Sequence, residues 1–172
     1  RALRKHSPPS RRRSTTHRVG ALAWLAAIVD SGCTWHVHHR REDLINRRPT
    51  RETMSGIEGK KRRVKCIGDL PIVATDCAGR QRHMLIRNVR CVPHFTETLI
   101  SVDQLYELSG AETRFGKHRR IYVPSPRGDV LQFPFEKSAD GLFTWSVGRR
   151  GAVAPPSPQP SASGSWRALS AP

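Results

Sequence analysis

Nowhere does this chain carry the ~20 consecutive apolar residues that a membrane helix requires, so no helical span and no membrane partner is expected. Acid is scarce as well: 14 Asp and Glu stand against 30 Lys and Arg, a net charge of +16 that favours polyanions, above all nucleic acid, while saying nothing about fold. Cysteine is limited to Cys33, Cys66, Cys77 and Cys91, with no close spacing, which argues against a disulfide framework or a zinc ribbon and for a reduced, intracellular setting. Cys33, His36, His38 and His39 crowd together, but alternation along a strand would send His38 and His39 to opposite faces, so neither a metal nor any other cofactor is expected. Val19 to Val29 follows a basic stretch as a secretory signal does, yet no small-residue cleavage site follows it clearly. The chain opens on Arg1 rather than Met and reads as a piece of a longer product.

What the chain does have is Ala27-Ile28-Val29-Asp30-Ser31-Gly32-Cys33-Thr34-Trp35-His36. An apolar run that ends on an acid, followed by a hydroxyl residue and a glycine, is what a buried strand needs to present one carboxylate in a tight turn. Gly32 offers backbone freedom there and Ser31 a hydroxyl to fix the turn. Asp30 is the candidate catalyst. One carboxylate cannot both take a proton from water and give one to a carbonyl, whereas two carboxylates a few Å apart hold one proton between them. With one Asp-Ser-Gly per chain, a working site needs two copies related by a two-fold axis. Taken alone, Asp-Ser-Gly is also an ordinary turn.

The 172 residues have room for one domain, placed at residues 19–148, between a disordered basic tail (1–18) and a disordered Pro/Ser-rich linker (149–172). Gly20 to Val29 reads as a strand, Cys33 to His38 as the start of another, and Arg40 to Thr53 as a loop with one helical turn. Met54 to Lys60 reads as a hairpin with Gly56 and Gly59 flanking Ile57 and Glu58. Val64 to Ile67 alternates and is expected to stop at Gly68-Asp69. Leu70 to Thr75 and Arg82 to Val89 are further strands about a turn at Ala78-Gly79. Leu99, Val102, Leu105 and Leu108 predict a helix over Thr96 to Leu108, with Ser101 and Gln104 as a capping box and Gly110 as its stop. Short strands follow at Glu112 to Phe115, Arg120 to Val123, Val130 to Phe133 and Leu142 to Val147. The whole predicts a mainly β fold, a closed or sandwiched β-domain bearing one short helix.

Four signals in fixed order resemble the protease region of copia-type retrotransposon Pol polyproteins. They are Ile28-Val29-Asp30-Ser31-Gly32-Cys33-Thr34-Trp35-His36; Gly56 and Gly59 with Val64-Lys65-Cys66-Ile67-Gly68; Ile86 to Pro93; and Thr98-Leu99-Ile100-Ser101-Val102-Asp103-Gln104-Leu105. Gly141-Leu142-Phe143 matches that family's usual ending. The resemblance implies a retropepsin-like closed β-barrel, active as a homodimer, that cuts its own polyprotein. It makes Asp30 the catalytic acid, Ser31, Gly32, Cys33 and Thr34 its supporting loop, and Gly56, Ile57, Glu58 and Gly59 a flap over bound peptide. Leu99, Ile100 and Ser101 would back the catalytic loop, with Ser101 where such proteases place glycine and Cys33 where Ala or Ser is commoner. It also places the protein in the cytoplasm, in virus-like particles or in the nucleus. A second reading stays open: a transposon-derived barrel without catalysis whose basic surface associates with RNA or DNA.

Overall fold

The longest strand alternates along its first half and bends at Asn88, which has a positive φ. The computed structural model describes residues 23–56 and 59–149; the expected tails, apart from Arg149 of the second, and the hairpin tip Ile57-Glu58 lie outside the described residues. In chain order come β1 (Ala23–Asp30), β2 (Val37–His38), a single 3-10 turn (Arg41–Asp43), β3 (Ile45–Arg48), β4 (Thr53–Ser55), β5 (Lys61–Arg63), β6 (Cys66–Thr75) and β7 (Gln81–Cys91). Then follow β8 (Thr98–Ser101), α1 (Val102–Ser109), β9 (Glu112–Arg114), β10 (Arg120–Pro124), β11 (Val130–Pro134), β12 (Glu136–Lys137) and β13 (Phe143–Arg149).

The sheet runs β12-β13-β1-β8-β2-β7-β6-β3, and a further β13–β6 pairing joins Val147 to Ala74, so six strands close into a barrel. β9, β10 and β11 form a separate three-stranded sheet, and β4 and β5 a two-stranded hairpin. The main core holds Val29, Leu70, Ile72, Ile86, Val89 and Ile100 from the barrel with Ile121 and Phe133 from the three-stranded sheet. Trp145 of β13 packs against Phe133 at 5.7 Å between ring centroids. A smaller cluster of Val37, Val64, Ile67 and Val92 lies beneath the hairpin, with Cys33 and Met54 against it.

Several expectations are corrected. Gly68-Asp69 does not end a strand: β6 continues through it, and opposite it β7 gains a residue, since Gly68 pairs with Val89 but Leu70 with Ile86. Asn88, at φ 57, absorbs this bulge, and its N–H donates to Asp69 Oδ1 at 3.2 Å. The first part of the expected helix is strand β8, because its place between two barrel strands outweighs local periodicity; the helix starts at Val102, and Leu108 is exposed. Gly110, at φ 65, ends it as expected. Ile45–Arg48 is an edge strand, not loop. His38 and His39 do not diverge, because β2 ends at His38 and the chain turns, leaving the rings 4.8 Å apart.

Gly68 sits where β3 crosses closest. A Cβ there would stand 2.8 Å from the Ile45 carbonyl oxygen and 3.1 Å from Leu44 Cβ. Gly68→Ala is therefore expected to lower the unfolding free energy by about 1–3 kcal/mol in urea melts. Gly116→Ala, where nothing lies within 4 Å and φ is not left-handed, is the matched control, expected to change it by less than about 0.5 kcal/mol.

Candidate active site

β1 ends in the loop that carries Asp30, and β8 lies beside it in parallel, with Ile28 opposite Leu99, Val29 opposite Ile100 and Asp30 opposite Ser101. β2 pairs with the other edge of β8 through Val37 and Leu99. One strand is thus wedged between two that follow each other in sequence, and loop 31–36 must pass around its end. Leu99, Ile100 and Ser101 therefore stand directly behind the Asp30 loop.

Asp30 is half-buried, and its Oδ1 accepts the Gly32 N–H at 2.8 Å. Oδ2 meets no donor among the described residues. Ser31, Gly32 and Thr34 are exposed, so the loop faces outward. The Asp30 carboxylate itself closes the turn, in place of the expected Ser31 hydroxyl, which makes no hydrogen bond within the described residues. Nor is Gly32 in the left-handed region; its missing side chain matters for space, because a Cβ would lie 3.4 Å from Asp30 Oδ1. Cys33 donates its thiol to the Trp35 carbonyl at 2.7 Å. Burial raises its pKa, only partly offset by a hydrogen bond received from the Trp35 backbone and reinforced by the nearby Asp30 charge, so the sulfur is a neutral thiol at neutral pH.

Sequence reasoning missed the residue that locks this loop, His36. Its ring Nδ1 accepts the Ser101 N–H at 3.0 Å, and its own N–H donates to Gln104 Oε1 at 2.6 Å. Ser101 Oγ in turn accepts the Gln104 N–H at 3.1 Å. Half of the expected capping box is present, but Gln104 reaches across to the loop instead of back to Ser101, and the His36 ring takes the amide that Gln104 leaves. Ser101 is fully buried with its hydroxyl engaged at the helix N-terminus. Burial, and then the nearby Arg90 charge, lower the His36 pKa from 6.5 to about 3, so the ring is neutral, as an acceptor must be.

A second tie runs from Trp35. Arg90, buried in β7, sets its guanidinium 3.6 Å from the centroid of the Trp35 ring. Its Nε donates to Glu52 Oε2 at 3.2 Å, and its Nη1 to the Asn88 carbonyl at 2.9 Å. Glu52 immediately precedes β4, and its carbonyl accepts the Val64 N–H at 3.0 Å. One buried arginine thus joins the Asp30 loop to the base of the hairpin. In the hairpin Thr53 pairs with Arg63 and Ser55 with Lys61, and Gly59, at φ 69, donates to the Gly56 carbonyl at 2.9 Å.

Other polar groups have structural work. His38 bridges Thr98 Oγ1 at 2.7 Å and Asp43 Oδ2 at 2.9 Å, an order that imitates a nucleophile–base–acid relay. With Thr98 and His38 both buried, no substrate can reach the hydroxyl. Asp76 accepts N–H groups from Arg80 and Ala78 and lies against the Arg80 and Arg82 guanidinium groups; these bonds, that from the Arg80 backbone foremost, hold its pKa down at about 2 against the opposing effect of desolvation. Asp129 takes the Ser125 hydroxyl in the turn at Gly128. The four cysteines are free, and Cys66 and Cys91 face each other across β6 and β7. Among the described residues no cluster of His, Cys, Asp or Glu could hold a metal ion.

Residues 27–110 match the family model described as Pol polyprotein, beta-barrel domain. This segment, just under half of the chain, is a Pol-polyprotein-like region running from β1 to the residue that caps α1. It contains the Asp30 loop, the hairpin, Arg90, β8 and His36. β13, which closes the barrel, lies beyond it. No curated protein and no solved structure gives a significant match to the chain.

A neutral His36 stabilises the folded state above the unfolded pKa of 6.5, and that contribution is lost as pH falls from there towards about 3. Across that window the wild type is expected to lose up to ~1.4 kcal/mol of stability per pH unit through this residue. In His36→Asn, whose side-chain oxygen can still accept the Ser101 N–H, the difference from wild type should shrink steadily between pH 6.5 and pH 4 in urea melts.

Proposed function

We propose that this barrel is one half of an aspartic endopeptidase of the copia-type, retropepsin-like kind, which acts as a homodimer and cleaves the Pol polyprotein it belongs to. The observation that carries this reading is the state of Asp30: one oxygen fixed by Gly32, the other without a donor, on an outward-facing loop backed by β8. Such a carboxylate is held in position and incomplete. A second Asp30 brought up by a two-fold axis completes it, because two carboxylates in contact share one proton.

In the dimer the ionised Asp30 takes a proton from water, which attacks the scissile carbonyl, while the protonated Asp30 donates to the carbonyl oxygen. The titration then belongs to the pair rather than to either residue. Ser31 Oγ, with no partner among the described residues, would brace the dyad across the two-fold axis. The β4–β5 hairpin, tied to the Asp30 loop through Glu52, Arg90 and Trp35, is in position to serve as the flap over an extended peptide and to exclude water. Ser101 in place of glycine is compatible with this arrangement, since its hydroxyl is turned into the helix cap.

Asp30→Asn should abolish the acid–base contribution and reduce kcat for a polyprotein-derived peptide by about 10²–10⁴-fold, with the melting temperature preserved. A pepstatin-like inhibitor should suppress the wild-type activity. Hydrolysis that persists unchanged in Asp30→Asn would show that the peptide bond is cut elsewhere or by another mechanism.

A further inference from the structure

The hairpin has two unlike faces. Paired residues in an antiparallel ladder share a face, so Met54 and Arg62 lie on one side and Thr53, Ser55, Lys61 and Arg63 on the other. Met54 and Arg62 are half-buried, and Met54 packs on the cluster of Val37, Val64, Ile67 and Val92. The other four are exposed. The outer face is therefore hydroxyl and cation only.

That face continues along the chain. Arg51 and Arg63 line one surface hollow with Pro49 and Thr50, and Arg48 is exposed at the end of the edge strand β3 just before it, where it pairs with Ile67, whereas Arg47 points to the opposite face, over Gly68. A neutral acceptor orients Arg48, which donates to Asn88 Oδ1 at 2.6 Å. Among the described residues no carboxylate pairs with Arg48, Arg51, Lys61 or Arg63. The neighbouring acids are engaged elsewhere, Glu52 with Arg90, Glu42 with Arg40, and Asp69 with Asn46 and the Asn88 N–H.

We propose that Arg48, Arg51, Lys61 and Arg63 form a docking surface for the phosphate backbone of a nucleic acid strand. Four cations without a carboxylate partner among the described residues, with two flanking hydroxyl groups, complement a polyanion. The hairpin's outer face offers no aromatic on which bases could stack, so contact is with phosphates and indifferent to sequence. Among the described residues it also offers no apolar side chain for a lipid surface to receive. The surface lies on the side of the hairpin turned away from the barrel, and its occupancy does not depend on peptide hydrolysis.

Fluorescence anisotropy of the full chain with a fluorescein-labelled 20-nucleotide RNA, from 50 to 200 mM salt, tests this. Single-strand contacts contribute ~0.7 each to the log–log salt slope. Replacing all four residues by Ala should flatten the slope by about 2.8, and Lys61→Ala with Arg63→Ala alone by about 1.4. Changing the three arginines to lysine should preserve it, because a phosphate needs only the charge. Asp30→Asn should bind as wild type does, whatever its peptidase activity. An unchanged slope in the double and fourfold Ala variants would overturn the proposal and assign binding to other basic segments such as Arg1 to Arg18. A preference for phosphatidylserine vesicles over RNA, lost in the same variants, would overturn it in favour of a membrane.

Discussion

The structure turns on one wedge: β8 driven between β1 and β2. Two strands adjacent in sequence would ordinarily pair with each other, and β8 instead takes the inner edge of both, parallel to one and antiparallel to the other. The loop between β1 and β2 is then forced around the end of β8, where an unsatisfied strand end and a helix N-terminus meet. His36 and Gln104 satisfy that junction in buried surroundings. An unmade hydrogen bond there would cost about 1–3 kcal/mol, so the loop has little freedom to settle elsewhere. The position of Asp30 follows from this constraint.

Much of the barrel could be read from the pattern of apolar residues, because β7 alternates along its first half while β6 is a largely apolar run covered on both faces. The Asp30 loop was legible from its Asp-Ser-Gly, and its closeness to Leu99, Ile100 and Ser101 from the ordered motifs. What escaped was set by contacts distant in sequence. Thr98 to Ser101 has helical spacing and is a strand because it is clamped on both edges, a case of tertiary pairing overriding local preference. The continuation of β6 through Gly68 depends on Asn88, nineteen residues from its partner Asp69. His36 and Arg90 gave no signal beyond their identity, since a lone buried histidine or arginine acquires its meaning from the groups folded against it.

Charge is divided by burial in the same way. Arg90 is sealed between an indole and a carboxylate and acts as a strut, whereas Arg51 and Arg63, in the same part of the fold, are exposed with no carboxylate partner among the described residues. A net charge of +16 could not distinguish these two kinds of arginine. The similarity of residues 27–110 to Pol polyprotein barrel domains covers the wedge, the hairpin and the strut together, while barrel closure is left to β13 beyond it.

Whether two chains build one site is decided most directly by mixing subunits. Wild-type and Asp30→Asn chains are unfolded together, refolded at varied ratios and fixed total concentration, and assayed on one peptide. If the catalytic proton is shared across a two-fold axis, only dimers with two intact carboxylates work, and activity should follow the square of the wild-type fraction, about one quarter at an equal mixture. A linear fall, to about one half at that mixture, would mean that each chain acts alone and would contradict the shared site.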